Sequence, residues 1–350
     1  EGEVIYNNKL VRSSFAIEDI GKTCAKLGPK DGLALINGTA VMTALGACAI
    51  FQASEIMKIA DISAAMTLDG VLGTTKAYDP RITKLKPHPG QTQVCENLNI
   101  LLKESNLINS HENCGKVQDP YSLRCVPQVH GACRQTLEHA KQVFQIEINS
   151  VTDNPLIFVR DEEVLSGGNF HGEAIAFAMD YLAIGVSEIC NISERRIEKM
   201  MNPTFSSLPS FLINNSGLNS GLMIAHVTAA ALASENKYLS HPASVDSIPT
   251  STDKEDHVSM GVTSGRKLLE VLQNTKDCLA IELLCNTQAL SFQLPNTSSP
   301  VLNSVYNLIR RHVPVIEKDR VFSHDINTIS GLIENGDLIK EVISHTGELK

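Results

Sequence analysis

Eight residues, QDPYSLRC at positions 118–125, carry side chains of unusually varied chemistry. Arg124 has a planar guanidinium that can bind a carboxylate through two parallel hydrogen bonds. Gln118 and Tyr121 add an amide and a phenol, groups that orient a ligand or stabilise a developing oxyanion. The residues by themselves leave two interpretations open: a varied surface loop, or one wall of a site for an anionic ligand.

Further polar residues stand at the ends of predicted helices. Glu255 is an acceptor suited to a cationic or N–H-bearing group, so Arg124 and Glu255 facing across a pocket would suit an amino acid with a basic ring. Each feature also has a structural explanation. Glu255 fits a capping box at a helix start. Asn37 could be only a turn residue and an N-cap. Phe170 and His171, after two glycines, could simply close a hairpin before a helix.

Several familiar site patterns are absent or incomplete. His171-x-Glu173 matches the HxE half of the zinc deaminase signature, but no PCxxC follows. There is no P-loop, no HExxH and no GxGxxG, and GLNSG at 217–221 has the wrong spacing for a nucleophile elbow. We therefore expect no catalytic metal and no dinucleotide cofactor.

Composition narrows the class of protein. The 350 residues are 43% hydrophobic and 20% charged, as in soluble globular proteins. A net charge of −9 argues against nucleic acid as a partner, because phosphate binding needs a basic face. We find no run of about 18 uncharged apolar residues, the length that a membrane span requires. Nine cysteines, an odd number without CxxC spacing, favour reduced thiols and a cytoplasmic location.

Hydrophobic periodicity predicts a mainly α-helical fold, with strands only as small hairpins near residues 1–12 and 156–168. Apolar residues from Glu173 onward recur at 4-3-4-3 spacing, a heptad seam typical of long, near-parallel helices. Residues 266–289 repeat the seam. Long helices of this kind often bury faces between subunits, so we expect an oligomer. Further helices are predicted at 41–59, with Asn37 as its N-cap, at 91–104, at 127–148, at 221–239 and in shorter form after Val301.

The predicted organisation has three parts. Residues 1–30 would join the chain to an N-terminal domain that it lacks, residues 31–300 would form the bundle with the site residues, and residues 301–350 would form shorter helices. Because position 1 is glutamate and not methionine, we interpret the chain as part of a longer protein.

Eight motifs follow one another along almost the whole chain: GLALINGT, PHPGQ, QDPYSLRC-PQVHG, TDNP, SGGNFHGE, SERRIEKMMNP, GLNSGLMIAH-TAAAL-SENK and EDHVSMG. This ordered set resembles the aromatic amino acid ammonia-lyase family, and within it the histidine ammonia-lyases. Phenylalanine and tyrosine ammonia-lyases share the fold but typically carry GNFQG and QDRYALR-like stretches, so His171, the stretch DPYSLR and Glu255 favour histidine as substrate.

The resemblance implies a homotetramer in which several subunits build each active site. The implied reaction is non-oxidative elimination of ammonia from L-histidine, giving trans-urocanate. The implied electrophile is 4-methylideneimidazole-5-one, formed from an Ala-Ser-Gly tripeptide of the protein, with no separate cofactor or metal.

Site roles follow from the same resemblance. Arg124 should bind the substrate carboxylate, and Glu255 should contact the imidazole or accept a proton near it. Asn37 and Tyr121 should hold the electrophile and its developing charge, with Gln118 beside them. The remaining two residues line the same region: Phe170 packs on the prosthetic ring, and His171 lies close to it.

One departure from the family pattern is clear. No Ala-Ser-Gly occurs in the 350 residues. In the family this tripeptide lies a little upstream of GEVIY, here at residues 2–6, and the tyrosine that acts as catalytic base also belongs to that N-terminal region. We therefore expect the full-length protein to be an ammonia-lyase and this chain alone to be inactive.

Two other functions remain open. The first is a phenylalanine or tyrosine ammonia-lyase or aminomutase. The second is a catalytically incomplete subunit that keeps the helical assembly. A third class, the helical fumarase and argininosuccinate lyase group, is excluded because its GSSxMPxKxN loop is absent.

Overall fold

The computed structural model describes residues 2–111 and 115–350. Two compact units divide the chain: a hairpin unit of residues 1–39 and 151–170, and a bundle unit of residues 40–150 and 171–350. Each unit is built from two separate parts of the sequence. The predicted boundaries near residues 30 and 300 instead divide the chain into three consecutive parts. The predicted three-part domain division stays a prediction.

The hairpin unit contains two antiparallel pairs and two short helices. The first turn places Asn7 and Asn8 at φ 49° and 59°, a conformation that asparagine tolerates in two-residue hairpin turns. Both hairpins expected from the sequence are confirmed. The elements are β1 (Glu3–Tyr6), β2 (Lys9–Arg12), α1 (Ser13–Asp19), α2 (Asp31–Ile36), β3 (Leu156–Phe158) and β4 (Glu163–Leu165).

The bundle unit is helical throughout, apart from turns and short 3-10 segments in the part of it that is described. Its longest helix, α12 (Gly261–Gln293), packs along α9 (Glu173–Met201) and α3 (Ala40–Gly70), and α8 (Val126–Glu147) packs along α9. The mainly α fold class is confirmed. The helices are α3 (Ala40–Gly70), α4 (Pro80–Leu85), α5 (Pro89–Leu101), α6 (Asn106–Ser110), α7 (Tyr121–Arg124), α8 (Val126–Glu147), α9 (Glu173–Met201), α10 (Pro203–Ser206), α11 (Met223–Leu239), α12 (Gly261–Gln293), α13 (Pro300–His312), α14 (Phe322–Glu334) and α15 (Asp337–Thr346).

The predicted heptad seams form the centre of this core. All of the seam residues are essentially inaccessible to solvent, so apolar burial provides the main driving force for docking α9 against α12. They are Ile175, Met179, Leu182, Val186 and Ile189 on α9, and Leu268, Val271, Cys278 and Cys285 on α12.

Helices α5 and α8 approach so closely that their crossing requires glycine. A Cβ built on Gly131 would lie 2.4 Å from the backbone nitrogen of Gln91, and one on Gly90 would lie 2.2 Å from the carbonyl oxygen of Gly131. The glycines of PHPGQ and PQVHG are therefore explained by packing between these two helices.

A polar network is buried where α3, α8, α9 and α12 meet. Arg196 donates to both carboxylate oxygens of Glu282, at 2.5 and 2.9 Å. His130 Nδ1 lies 2.8 Å from Asp61, and Arg134 donates to the same carboxylate at 2.6 Å. These fully or nearly buried charges are acceptable only because each is paired and hydrogen-bonded.

Some local expectations are corrected. Asn37 follows α2 as its C-cap, and α3 begins at Ala40, so Asn37 does not cap the long helix. The Pro-rich stretch YDPRITKLKPHPGQ at residues 78–91, for which no helix was predicted before residue 91, contains α4, because Asp79 caps the helix and Pro80 occupies a first-turn position that needs no N–H donor.

Two helical segments, residues 31–70 and 173–201, are long and apolar enough to cross a membrane by length and composition alone. The sequence-based expectation that no such stretch exists is therefore wrong. In residues 173–201, 72% of the most apolar window is buried inside the protein, as in the core helix of a soluble protein, whereas the share in residues 31–70 is 17%. The absence of a membrane partner stays a prediction.

Candidate active site

Two hydrogen bonds hold the DPYSLR stretch in place within the bundle unit. The buried carboxylate of Asp119 accepts a hydrogen bond from the Thr74 backbone N–H at 2.8 Å. The Tyr78 hydroxyl donates to the Leu123 carbonyl at 2.8 Å, and burial raises the pKa of Tyr78, which keeps this donor protonated. Helix α7 therefore presents Tyr121 and Arg124 from a fixed backbone.

The guanidinium of Arg124 is hydrogen-bonded through Nη1 and has no partner on its Nε and Nη2 edge. Nη1 donates to Gln118 Oε1 at 2.6 Å, and Cζ lies 4.8 Å from the centre of the Tyr121 ring. Among the described residues, Nε is buried and has no hydrogen-bond partner, and Nη2 also has none. The Nε and Nη2 edge is one of the two that bind a carboxylate bidentately. Gln118, Tyr121 and Arg124 thus form one preorganised group.

Glu255 lies in an exposed segment in which no α-helix begins, since Ser251–Asp253 form only a short 3-10 turn. Its backbone carbonyl accepts from Thr250 N–H at 2.9 Å, and α12 begins only at Gly261. Ser251, Thr252 and Asp253 all have positive φ, between 51° and 63°. The capping-box interpretation is therefore wrong, and the Glu255 side chain has no hydrogen-bond partner among the described residues.

His171 lies at the start of α9, close to His257 in the segment that carries Glu255. Its Nε2 atom is 3.3 Å from the His257 carbonyl oxygen and 3.5 Å from His257 Nδ1. Glu173 is 3.9 Å from His171 on the other side of the ring. The structure thus brings His171 next to the EDH stretch, two residues from Glu255. Within the described residues, no hydrogen bond or ion pair joins Arg124 to Glu255.

Asn37 and Phe170 both belong to the hairpin unit. The loop that carries each of them contacts residues 151–155, which include the TDNP stretch. After Asn37, Gly38 has φ +82°, and a Cβ there would lie 2.3 Å from the Thr152 carbonyl oxygen. Before Phe170, Asn169 donates to the Val151 carbonyl at 3.3 Å.

The TDNP stretch is itself tied down inside the hairpin unit. Lys30 Nζ contacts Asp153 and the Pro155 carbonyl, each at 2.6 Å. This hydrogen bond from Lys30 lowers the pKa of Asp153. Asn154 Oδ1 accepts from the Gly167 N–H at 2.7 Å. The stretch therefore fixes the two loops that carry Asn37 and Phe170.

The supporting residues were not found from the sequence. Asp119, Tyr78 and Thr152 act through contacts with distant parts of the chain, which spacing does not reveal. Asp119 could have been suspected because it lies inside a chemically dense motif. His257 lies 86 residues from His171, and only its place in the EDHVSM motif pointed to the site.

Residues 1–311 match the sequence profile of the family described as aromatic amino acid lyase. The histidine ammonia-lyase of Myxococcus xanthus is 48% identical over 346 residues, which cover 99% of this chain and 68% of the relative. This long-helix fold with a preorganised arginine is the architecture of a class of carbon–nitrogen lyases. The chain belongs to the aromatic amino acid lyase family.

Solved structures agree with this assignment. The crystal structure of histidine ammonia-lyase from Trypanosoma cruzi superposes with a TM-score of 0.91 at 44% identity, covering 98% of this chain and 66% of that one. Tyrosine aminomutase from Streptomyces globisporus superposes at 0.93 with 34% identity, covering 100% and 70%. This chain thus spans about two thirds of the length of these relatives.

A heterocycle with a carbonyl group, such as methylideneimidazolone, needs hydrogen-bond donors for its oxygen. Among the described residues, the Tyr121 hydroxyl in the bundle unit has no hydrogen-bond partner, and the same holds for the Asn37 side-chain amide in the hairpin unit. Each of these donors has the chemistry that such a group requires. The tripeptide Ala-Ser-Gly, from which the group forms, is not among the 350 residues.

Proposed function

We propose that the protein eliminates ammonia from L-histidine to give trans-urocanate. The observation that carries the proposal is the unpaired Nε and Nη2 edge of Arg124, a receptor for the α-carboxylate on a scaffold whose relatives are histidine ammonia-lyases. The buried Nε–H without a partner costs free energy, and a substrate carboxylate would supply two charge-assisted hydrogen bonds to this edge.

The seven predicted site residues then divide into four tasks. Arg124, held by Gln118, anchors the carboxylate and sets the position of the β-carbon. Glu255 faces the imidazole, where its carboxylate accepts an N–H and favours a basic ring over a phenyl ring. Tyr121 and Asn37 donate hydrogen bonds to an oxygen that gains charge, as in an oxyanion hole. The other two residues, Phe170 and His171, line the pocket.

Positioning alone does not remove a weakly acidic β-proton together with an amino group. When bound, methylideneimidazolone supplies the electrophile that makes this elimination possible. We infer that this group and the catalytic base come from residues outside these 350, and that this chain alone turns over no histidine.

The assembly that we propose is a homotetramer in the cytoplasm with active sites shared between subunits. Exposed apolar side chains on two long helices support an oligomer, because such surface is normally buried against a partner. Phe51 on α3 is 70% exposed, and Val227 and Tyr238 on α11 are 57% and 71% exposed.

The test is a urocanate assay. The purified 350-residue chain should give no absorbance change with L-histidine, whereas a polypeptide that also carries the Ala-Ser-Gly segment should produce urocanate. Robust turnover by the 350 residues alone would refute the assignment of the electrophile. An intact polypeptide that prefers tyrosine or phenylalanine would replace the histidine assignment with the aromatic alternative.

A further inference from the structure

Three side chains with metal-binding atoms come together beside the segment that bears Glu255. They are His171 and Glu173 at the start of α9, and His257 from the stretch before α12. One ligand atom from each can be chosen so that all three lie within 4.8 Å of one another. The sequence had suggested only the first two, as an incomplete HxE motif, and the fold supplies the third.

The two histidines have the spacing of a pair that shares one ion. His171 Nε2 and His257 Nδ1 are 3.5 Å apart, and their rings stack with centroids 5.5 Å apart and an angle of 30°. Two zinc–nitrogen bonds of about 2.0–2.1 Å at a tetrahedral angle place the nitrogens roughly 3.4 Å apart. The distance between the two nitrogens therefore agrees with that of two ligands of one ion.

Hydrogen bonding inside the protein does not satisfy these groups well. The two contacts of His171 Nε2, at 3.3 and 3.5 Å, are longer than the usual 2.7–3.2 Å range for N–H donors. Glu173 Oε2 is shielded from solvent and has no hydrogen-bond partner among the described residues, and it lies 3.9 Å from His171 Nδ1. A shielded carboxylate oxygen without a donor is a position that a cation would stabilise.

The donor set selects the kind of ion. Two imidazole nitrogens and one carboxylate oxygen suit zinc and its first-row neighbours, whereas magnesium and calcium prefer oxygen ligands throughout. Three protein ligands leave at least one coordination position open to water or to a small nitrogen or oxygen ligand.

We propose that His171, Glu173 and His257 bind one divalent transition-metal ion, with zinc as the best match. The ion joins the start of α9 to the segment that carries Glu255, so it fixes the position of that carboxylate. This site departs from our own sequence-based expectation of no metal. It shares His171 with the proposed substrate pocket, but the elimination itself needs no metal in the proposed function.

The test measures metal binding and does not depend on lyase activity. The purified, metal-stripped chain is titrated with Co²⁺, followed by its visible absorption, and with Zn²⁺ in competition with a chromogenic chelator. We expect one ion per chain. His257→Ala and Glu173→Gln should each weaken binding by more than about 100-fold, beyond the 10- to 100-fold typical of residues that only support a ligand. His324→Ala, an exposed histidine on α14, is the matched control and should bind like the parent chain.

Circular dichroism of each variant without metal separates a lost ligand from a lost fold. His257→Gln keeps a side chain of similar size if His257→Ala fails to fold. Absence of stoichiometric binding by the parent chain would overturn the proposal, and so would undiminished binding in folded His257 and Glu173 variants. Neither result would bear on histidine turnover, so this proposal and the proposed function fail separately.

Discussion

At the scale of single residues, the guanidinium of Arg124 is the part of the candidate site that is best prepared for a ligand. Its Nη1 atom is occupied by Gln118 and its plane lies over Tyr121, so the remaining edge has a fixed direction. A fixed donor pair binds a carboxylate with little loss of side-chain entropy.

Replacing Arg124 with alanine should raise the Michaelis constant for histidine strongly. Loss of hydrogen bonds to a charged group costs about 1.5–3 kcal/mol, which is roughly a 10- to 100-fold change. Steady-state kinetics on the polypeptide that carries the Ala-Ser-Gly segment provide the measurement. Arg124→Lys should recover only part of the loss, because an ammonium cannot reproduce the fork. Arg311→Ala, on an exposed arginine, is the control, and an unchanged constant in Arg124→Ala would contradict the assignment.

Glu255 should determine the preference for a basic ring. Glu255→Gln keeps the shape of the side chain and removes its charge, so kcat/KM for histidine should fall about 10- to 100-fold, while the value for phenylalanine should change little. A substrate panel measures both values. Asp256→Asn, on the neighbouring exposed carboxylate, serves as the control. An equal loss for both substrates would show that Glu255 does not read the imidazole.

At the scale of elements, the buried ion pairs determine which faces of the long helices pack against one another. Arg has only donors, so His130 Nε2, 3.3 Å from Arg196 Nη1, must accept, and His130 Nδ1–H donates to Asp61. Burial lowers the pKa of His130, which agrees with this neutral tautomer. Burial alone would raise the pKa of Asp61, but the Arg134 charge and the His130 hydrogen bond outweigh it, and the pKa is lowered.

Breaking the buried pair between α9 and α12 should be costly. Glu282→Gln leaves Arg196 as a buried charge without its counter-ion and should reduce the free energy of unfolding by about 3–5 kcal/mol. Asp337→Asn, which removes the exposed pair with Lys340, should cost at most about 1 kcal/mol. Urea denaturation of both variants gives the comparison. A loss in Glu282→Gln no larger than that in the surface variant would show that the buried pair does not stabilise the packing.

Asp69, near the end of α3, should make stability depend on pH in the opposite direction to a typical carboxylate. Burial raises its pKa to about 6, although Ser298 and Ser105 donate hydrogen bonds to it. Because this pKa lies above the unfolded value of 3.8, the stabilising contribution is present below pH 3.8 and is lost as the pH rises through about 6.

The variant Asp69→Asn removes this titration. The free energy of unfolding of the variant minus that of the parent should rise by about 2 kcal/mol from pH 4 to pH 7, since one pKa unit corresponds to about 1.4 kcal/mol and the unfolded carboxyl is already partly ionised at pH 4. Denaturation curves at several pH values measure the difference. Asp337→Asn, on an exposed carboxylate, should keep the parent profile. A constant difference across this range would show that Asp69 titrates normally.

The sequence predicted elements well where local signals and tertiary packing agree. The seams on α9 and α12 and the two hairpins follow from periodicity and turn residues that the core does not override. The capping box at Thr252 failed because the same side chains suit a helix start and a turn of left-handed residues. The seven site residues were predicted from the order of the motifs. The contacts of Gln118 and Asp119 that position Arg124 depend on the fold, so residue spacing does not predict them.

At the scale of the whole molecule, the exposed apolar faces of α3 and α11 predict assembly. Light scattering after size-exclusion chromatography should give four times the chain mass of 38.0 kDa. Phe51→Glu places a charge in the centre of an apolar face and should shift the mass toward smaller species. Ser344→Glu adds the same charge on the exposed side of α15 and should leave the mass unchanged. A monomeric parent chain would remove the support for an oligomer.

The central claim is that this fold presents a site for elimination from histidine. The most direct measurement compares histidine, tyrosine and phenylalanine as substrates of the polypeptide that carries the Ala-Ser-Gly segment ahead of these residues, with product formation followed by absorbance. The account predicts urocanate from histidine and little or no product from the other two amino acids. A preference for tyrosine or phenylalanine, or conversion to a β-amino acid without release of ammonia, would contradict it.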